Sequence, residues 1–182
     1  LKESGQLYER SNYAHPYPFC PRSDTPLIYK TIPSWYVNVE SIKDRLVKSN
    51  EQIYWVPDHI KGGRFGKWLE GARDWAISRN RVWGTPLPIW INDVTDNRIC
   101  IGSIEELEKY SGVKLEDLHR EHADDVNFTI NGEEGVYRRI TEVFDCWFES
   151  GSMPYAQLHY PFENEKVFND GFPAEFIAEG LD

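Results

Sequence analysis

Two β-rich runs with a polar turn between them predict a β-hairpin in the middle of the chain. An apolar run at 89–91 is followed by a polar turn at 92–97 and a second β-rich run at 98–101. Short runs of β-branched and aromatic residues separated by turn residues are typical of paired strands. Similar runs at 27–32 and 35–39 indicate two further strands.

Helical spacing predicts at least three helices. Over residues 64–78, apolar side chains recur at intervals of three and four residues, which predicts a helix with one buried face. A shorter stretch after Ser41 has the same spacing, with Ser41 as a candidate N-cap. Ser103 and Glu106 form a capping-box pattern, and Gly112 follows where a left-handed C′ residue is favoured, so we predict a helix between them.

The remaining elements predict a mixed helix and strand fold. The pair Asn131-Gly132 between two β-rich runs predicts a second hairpin, and a short helix is predicted over 115–122. Residues 142–148 and 172–178 are apolar runs typical of buried strands. Because helices and strands do not alternate strictly, the pattern indicates an α/β or α+β domain.

Composition indicates a folded domain or a large domain fragment. The chain has 182 residues, of which 40% are hydrophobic and 14% aromatic, unlike a disordered chain. The formal net charge is −10, whereas a free-standing nucleic-acid-binding protein usually presents a basic face. If this chain contacts RNA, we therefore expect a local patch within a larger protein.

Cysteine usage and the chain ends restrict the cellular context. Cys20, Cys100 and Cys146 are widely separated, which argues against a disulfide framework and fits a reducing compartment. No apolar run approaches the roughly 20 residues needed to span a bilayer. The sequence starts at Leu1 without an apolar signal region and stops at Asp182, and we interpret both ends as cuts in a longer polypeptide.

Metal-binding patterns are weak. Cys20 is followed three residues later by Ser23 rather than by a second cysteine, and a structural zinc site needs four ligands. His119 and His122 are three residues apart, not four as in a helical zinc pair. A solvated helix face is the favoured interpretation of the two histidines.

Three segments combine residue types that often serve in binding. Residues 72–90 mix three tryptophans with three arginines, 145–157 place Trp147 and a phenylalanine beside acidic residues, and 178–182 carry two carboxylates after an apolar run. Carboxylates at the carboxyl end of a strand commonly bind ribose hydroxyls in nucleotide-binding folds. Trp147 fits either a core or the wall of a small-molecule pocket, and residue types alone favour the structural interpretation of each segment.

Taken together, these segments resemble the isoleucyl-tRNA synthetases of class I, and the cytosolic eukaryotic type in particular. The resemblance covers the chain from about His15 to Asp182. It rests on a proline-rich knuckle followed by T-P-L-I-Y, then P-S-W-Y-V, A-R-D-W-A-I-S-R-N-R-V-W-G-T-P, D-C-W-F-E-S-G-S-M-P-Y-A-Q and A-E-G-L-D. The order and spacing of these blocks match the family.

The resemblance implies an α/β fold: a fragment of a Rossmann-like class I synthetase catalytic domain with connective-peptide elements. Residues 1–14 would be the exit linker from the editing insertion, 15–140 a connective-peptide and core-flanking region, and 141–182 a catalytic-core segment of the nucleotide-binding domain. The parent would be a cytoplasmic isoleucine–tRNA ligase without membrane association. It would activate isoleucine with ATP and Mg²⁺ and transfer it to tRNA(Ile), and a multi-synthetase assembly is a further candidate partner.

The resemblance also assigns substrate-binding residues. Trp147 matches the family position that packs against the isoleucine side chain, while Glu179, Gly180 and Asp182 match the segment that contacts the adenylate. No catalytic residue is expected within this chain, since the H-I-G-H and K-M-S-K-S signatures are absent from it. Many bacterial relatives bind zinc through a C-x-x-C knuckle, and with Ser23 in that place we expect no zinc at Cys20.

Two alternatives stay open at this point. A valyl-type class I synthetase would carry His where this chain has Thr85, and a Ser-Ser run where it has Ser150-Gly151. A non-catalytic synthetase-derived module for RNA docking or assembly is the other alternative. We expect the chain alone to have no measurable activation activity.

Overall fold

The computed structural model describes residues 1–178 and residue 180. The chain divides into two compact units, residues 1–33 and residues 34–182. Each unit is described by itself.

The first unit contains a tight knuckle in place of regular secondary structure. Phe19 forms an isolated antiparallel bridge with Pro26. The backbone N–H of Cys20 donates to the carbonyl of Thr25 at 2.9 Å, and Asp24 closes the turn at a φ of 52°. The strand predicted at 27–32 is wrong, because this segment has no partner strand in the described part of the chain and Ile28 and Tyr29 are exposed.

The second unit contains seven short strands and six α-helices within its described residues. The strands are β1 (Tyr36–Val37), β2 (Trp75–Ala76), β3 (Ser78–Arg79), β4 (Ile89–Asn92), β5 (Arg98–Cys100), β6 (Tyr137–Arg139) and β7 (Val143–Phe144). The helices are α1 (Lys43–Glu51), α2 (Gly66–Glu70), α3 (Ile104–Ser111), α4 (Arg120–Ala123), α5 (Cys146–Ala156) and α6 (Glu165–Gly171). A 3₁₀ turn (Glu40–Ile42) precedes α1, and a π turn (Lys61–Phe65) precedes α2.

Strand β4 is the centre of the second unit, and its two faces enter two different cores. It lies between β5 and β6 in a three-stranded antiparallel sheet. Because successive side chains of a strand point to opposite faces, Trp90 enters one apolar cluster while Ile89 and Ile91 enter the other. The continuous apolar run at 89–91 therefore reflects burial on both faces, and the predicted β4–β5 hairpin is confirmed.

All strand pairs in the described part of the chain are antiparallel, namely β1 with β2, β3 with β7, and β4 with β5 and β6. The mixed helix and strand content agrees with the predicted fold class. The Rossmann-like arrangement stays a prediction.

The long helix predicted over 64–78 is wrong. α2 ends at Glu70, and the backbone N–H of Gly71 donates to the carbonyl of Lys67 at 3.0 Å. Trp75 and Ala76 instead pair with β1 as strand β2. The apolar spacing that suggests a helix is overridden here by strand pairing with a segment almost forty residues earlier.

The helix between Ser103 and Gly112 is confirmed with both of its predicted caps. The Ser103 hydroxyl accepts a hydrogen bond from the backbone N–H of Glu106 at 3.1 Å, and Gly112 adopts a left-handed φ of 71°. The Glu106 carboxylate reaches back to the N–H of Gly102 at 2.7 Å. Three other elements are shorter or weaker than predicted. α1 begins after a 3₁₀ turn rather than at a Ser41 cap, α4 covers only 120–123, and the second hairpin is reduced to a Phe128–Tyr137 bridge.

Both strands predicted near the carboxyl end are corrected by the structure. Only Val143 and Phe144 form a strand within 142–148, because Asp145 caps a helix that starts at Cys146. Residues 172–178 form no strand, and Phe176 and Ile177 are exposed. An apolar run can satisfy its backbone as a strand only where a neighbouring strand is available.

Candidate functional site

Strands β3 and β7 bring two of the three motif segments together. Ser78 pairs with Phe144 and Arg79 with Val143 in antiparallel register. The backbone N–H of Phe144 also donates to the carbonyl of Thr85 at 2.8 Å. Segments 72–90 and 145–157, which are far apart in the sequence, are therefore joined at one place.

A cavity of about 780 Å³ opens where the two segments meet. Segment 72–90 contributes Arg79, Arg81, Trp83 and Thr85 to its lining, and the start of α5 contributes Asp145, Cys146 and Glu149. The two arginines share this lining with four carboxylates, those of Glu116, Asp117, Asp145 and Glu149, so the cavity offers groups of both charges together with the aromatic face of Trp83.

Asp145 is the best-connected polar residue of this site. It is 3% exposed, and its Oδ1 accepts a hydrogen bond from the backbone N–H of Trp147 at 2.9 Å, which makes it the N-cap of α5. Its Oδ2 pairs with the Nη2 of Arg79. The hydrogen bond from the backbone N–H of Trp147 lowers the pKa of the Asp145 carboxyl from its ordinary value, and the positive charge of Arg79 lowers it further.

Arg79 is itself fixed by its own segment. Its Nη1 donates to the carbonyls of Ala76 and Ser78 at 2.8 and 2.9 Å. A guanidinium that donates to two carbonyls and one carboxylate has little freedom to rotate. The pair therefore attaches the start of α5 to β3.

A second hydrogen-bonded contact joins α5 to the segment that follows β3. The backbone N–H of Thr85 donates to the Oε1 of Glu149 at 3.1 Å. Elsewhere in the lining, the Trp83 indole stacks on the His119 ring with the ring centroids 5.3 Å apart, and Asp117 hydrogen-bonds to the Nδ1 of His119 at 2.6 Å.

Arg139 stabilises the segments next to this site. Its side chain is fully buried, forms an ion pair with Asp124, and donates to the carbonyl of Glu142 at 2.9 Å. It thereby links α4 to the approach to β7. Arg79, Asp145 and Arg139 were not among the residues predicted from the sequence. For Asp145 a usable signal exists, since Asp is a favoured N-cap residue.

The structure places the four predicted site residues unequally. Trp147 lies in the first turn of α5 with 64% of its surface exposed. Gly180 is exposed, and no atom of the other described residues lies within 4 Å of where a Cβ would be. Glu179 and Asp182 lie outside the described residues. The structure thus leaves the predicted grouping of these residues untested.

Cys20 lies half-buried in the knuckle, where its thiol is adjacent to Ser23. The hydrogen bond from the Ser23 side chain, followed by the Arg22 backbone, lowers the pKa of this thiol from its ordinary value. Among the residues that the structure describes, no three His, Cys, Asp or Glu side chains form a group that could hold a metal ion.

The sequence matches the profile of one family over nearly its full length. The profile of the class I tRNA synthetases (I, L, M and V) matches residues 4–182. The chain therefore belongs to the class I tRNA synthetases.

Relatives within that family are isoleucine–tRNA ligases. A cytoplasmic isoleucine–tRNA ligase of Caenorhabditis elegans is 58% identical over 182 residues, and one of Mus musculus is 57% identical over the same length. An isoleucine–tRNA ligase of Protochlamydia amoebophila is 61% identical over 183 residues. Each alignment covers 100% of this chain, and the family predicted from the motifs is confirmed.

The chain spans about one sixth of these relatives, or 16%, 14% and 17% of their respective lengths. Within the described residues, no helix combines the length and apolarity needed to cross a membrane.

Proposed function

We propose that this chain is part of a class I isoleucine–tRNA ligase. The observation that carries the proposal is the 57–61% identity to isoleucine–tRNA ligases over all of the chain. The valyl-type and RNA-docking alternatives are not favoured, because these relatives share one named activity. In this reaction the isoleucine carboxylate attacks the α-phosphorus of ATP, pyrophosphate leaves, and the isoleucyl group is then transferred to tRNA(Ile).

In this proposal Trp147 packs against the isoleucine side chain. An exposed indole on the first turn of a helix offers a flat apolar surface for a small aliphatic group, and 64% of Trp147 is exposed. One methylene in an apolar pocket is worth only about 1–3 kcal/mol, for which isoleucine against valine in this enzyme class is the standard example. Trp147 would therefore contribute affinity and modest selectivity.

Glu179, Gly180 and Asp182 complete the proposal as contacts of the adenylate ribose and the aminoacyl group. They would lie in a Rossmann-like segment spanning 141–182, preceded by connective-peptide elements at 15–140 and a linker at 1–14. ATP would enter with Mg²⁺ as its counter-ion.

The wider setting follows from the same relatives. We propose a cytoplasmic ligase that binds isoleucine, ATP and tRNA(Ile), with a multi-synthetase assembly as a candidate partner. No zinc is proposed at Cys20. If the protein binds stoichiometric zinc and loses it in the Cys20→Ser variant, this proposal is contradicted.

The test of the proposed function uses a ligase of the relatives' length that carries this chain. Isoleucine-dependent ATP–pyrophosphate exchange is expected, with Trp147→Ala raising the KM for isoleucine about tenfold, equivalent to about 1.4 kcal/mol, and the KM for ATP much less. Trp68→Ala is the matched control, because Trp68 is similarly exposed at 61% but lies on α2, outside the segment 145–157 that carries Trp147. Equal rises in both KM values would contradict the role of Trp147, and exchange that does not depend on isoleucine would contradict the function.

The isolated chain provides a separate test. We expect no pyrophosphate exchange from it, because it lacks both phosphate-binding signatures. Titration calorimetry with a non-hydrolysable isoleucyl-adenylate analogue, and with the valyl analogue beside it, measures whether the pocket is formed in the chain. Preference for the isoleucyl analogue would place the amino-acid pocket within these 182 residues.

A further inference from the structure

The indole of Trp147 is held in place by the helix start rather than by its own packing. It is 64% exposed, and no aromatic ring in the described part of the chain stacks on it. The next residue, Phe148, is anchored instead, since it stacks on Phe144 at 4.5 Å and lies 6.0 Å from the Trp75 ring. The direction of the Trp147 side chain therefore depends on where and how α5 begins.

The start of α5 is determined by Asp145. One carboxylate oxygen accepts the backbone N–H of Trp147 itself at 2.9 Å, and the other pairs with Arg79. The backbone N–H of Asp145 adds a hydrogen bond to the carbonyl of Ile77 at 2.7 Å. Because the carboxylate is 3% exposed, water does not compete effectively for either bond.

α5 would start poorly without this cap. Its sequence contains Gly151 and Pro154, both unfavourable inside a helix, and none of its residues is buried. Intrinsic propensity therefore contributes little to this helix, and packing reaches its first turn through Phe148. The first turn relies on this packing together with the Asp145 cap and the Glu149 contact with Thr85.

We propose that Asp145 and Arg79 are positioning residues for amino-acid recognition: they fix the first turn of α5 and so aim Trp147 at the isoleucine side chain. This inference rests on the proposed function and on the proposed role of Trp147. It assigns a share in isoleucine binding to two residues that were not predicted from the sequence as substrate-binding.

The experiment measures KM values for isoleucine and ATP, and the isoleucine-to-valine ratio of kcat/KM, in the longer ligase. Asp145→Ala is expected to raise the KM for isoleucine about tenfold and to lower the isoleucine preference, while the KM for ATP changes less than twofold. Asp145→Asn retains a cap acceptor but loses the ion pair, so it should recover most of the isoleucine affinity. Arg79→Met should give an intermediate rise.

Ser103→Ala is the matched control, because Ser103 caps α3 through an equivalent bond to the N–H of Glu106 at 3.1 Å. It should lower the thermal midpoint as Asp145→Ala does, without changing either KM. If Asp145→Ala lowers the midpoint and leaves the KM for isoleucine unchanged, Asp145 is merely structural and the inference is overturned. An equal rise for isoleucine and ATP, or no recovery in Asp145→Asn, would also overturn it.

The outcomes separate this inference from the function on which it rests. Wild-type exchange that ignores isoleucine overturns the proposed function and the inference together. Isoleucine-dependent exchange that is sensitive to Trp147→Ala but not to Asp145→Ala overturns the inference alone.

Discussion

Two tryptophans in apolar segments have opposite surroundings in the folded chain. Trp90 on β4 is 2% exposed and donates its indole N–H to the carbonyl of Val126 at 2.7 Å, whereas Trp147 on α5 is 64% exposed. The region around β4 is closed on both faces by side chains of this chain. At the start of α5, the Trp147 side chain is instead open to a ligand. The comparison therefore separates residues that stabilise the fold from residues available for binding.

The largest expected effect tests this separation directly. Trp90→Ala should lower the free energy of unfolding by about 3–5 kcal/mol, because it leaves a core cavity and orphans the Val126 carbonyl. Trp147→Ala should change the unfolding free energy by less than about 0.5 kcal/mol. Urea denaturation of both variants, followed by circular dichroism, measures the difference.

Similar losses in the two variants would remove the distinction between the core and the exposed tryptophan. A large loss for Trp147→Ala in particular would mean that its indole packs within this chain in solution. Its proposed role in isoleucine binding would then need another basis.

A smaller effect is expected at a backbone turn beside β4. Gly135 has a φ of 96°, and a Cβ there would overlap the Oδ1 of Asn92. That amide cannot move easily, since Asn92 is 2% exposed and its Oδ1 accepts hydrogen bonds from the backbone N–H groups of Val94 and Thr95 at 2.8 and 3.0 Å. Gly135→Ala should therefore destabilise the chain by about 3 kcal/mol, combining the left-handed penalty with displacement of the amide.

Gly132→Ala is the matched control for this turn. Gly132 also has a positive φ, 86°, but nothing lies within 4 Å of its Cβ position. Gly132→Ala should therefore lower the free energy of unfolding only by the cost of a left-handed alanine, about 1–2 kcal/mol. Equal unfolding free energies for the two variants would show that the contact with Asn92 does not matter.

The elements that could be predicted from the sequence are those whose determinants are local. The α3 helix carries its N-cap, its capping-box glutamate and its C′ glycine within ten residues. The N-cap and the C′ glycine act as predicted, while the Glu106 carboxylate accepts the N–H of Gly102, one residue before the N-cap. The β4–β5 hairpin likewise has its turn between its strands. In both cases the residues that determine the element are neighbours in the sequence.

The elements that could not be predicted depend on distant partners. Trp75 and Ala76 fit a helical stripe in the sequence, but β1 pairs with them as a strand. Residues 142–148 look like one strand, but β3 pairs only with Val143 and Phe144, after which Asp145 caps a helix. The choice between helix and strand is made in each case by tertiary pairing, which short-range spacing does not contain.

The candidate site shows the same division. The family and the importance of segments 72–90 and 145–157 could be inferred from motifs, because motif order survives without any knowledge of the fold. The ion pair between Arg79 and Asp145, which are 66 residues apart, could not be inferred from motifs. It requires the β3–β7 register, which no local pattern indicates.

The smallest expected effect is on the pH dependence of the free energy of unfolding. It concerns the carboxylate of Glu133, in the region around β4. Hydrogen bonds from Thr95, then Tyr137 and Asn97, lower the pKa of Glu133 from its ordinary value. A carboxyl whose pKa is lower in the folded state stabilises the fold above its unfolded pKa of about 4.3 and loses this contribution as pH falls through the folded pKa. Glu133→Gln should therefore be less stable than wild type at pH 7, and the gap should narrow towards pH 3. Urea denaturation at pH 7, 5 and 3 measures it, with Glu134→Gln as the control because the Glu134 side chain is exposed and makes no hydrogen bond in the described part of the chain. A gap that stays constant with pH would mean that the protonated carboxyl of Glu133 contributes as much stability as the carboxylate, and the charge on Glu133 would then have no part in holding the turn.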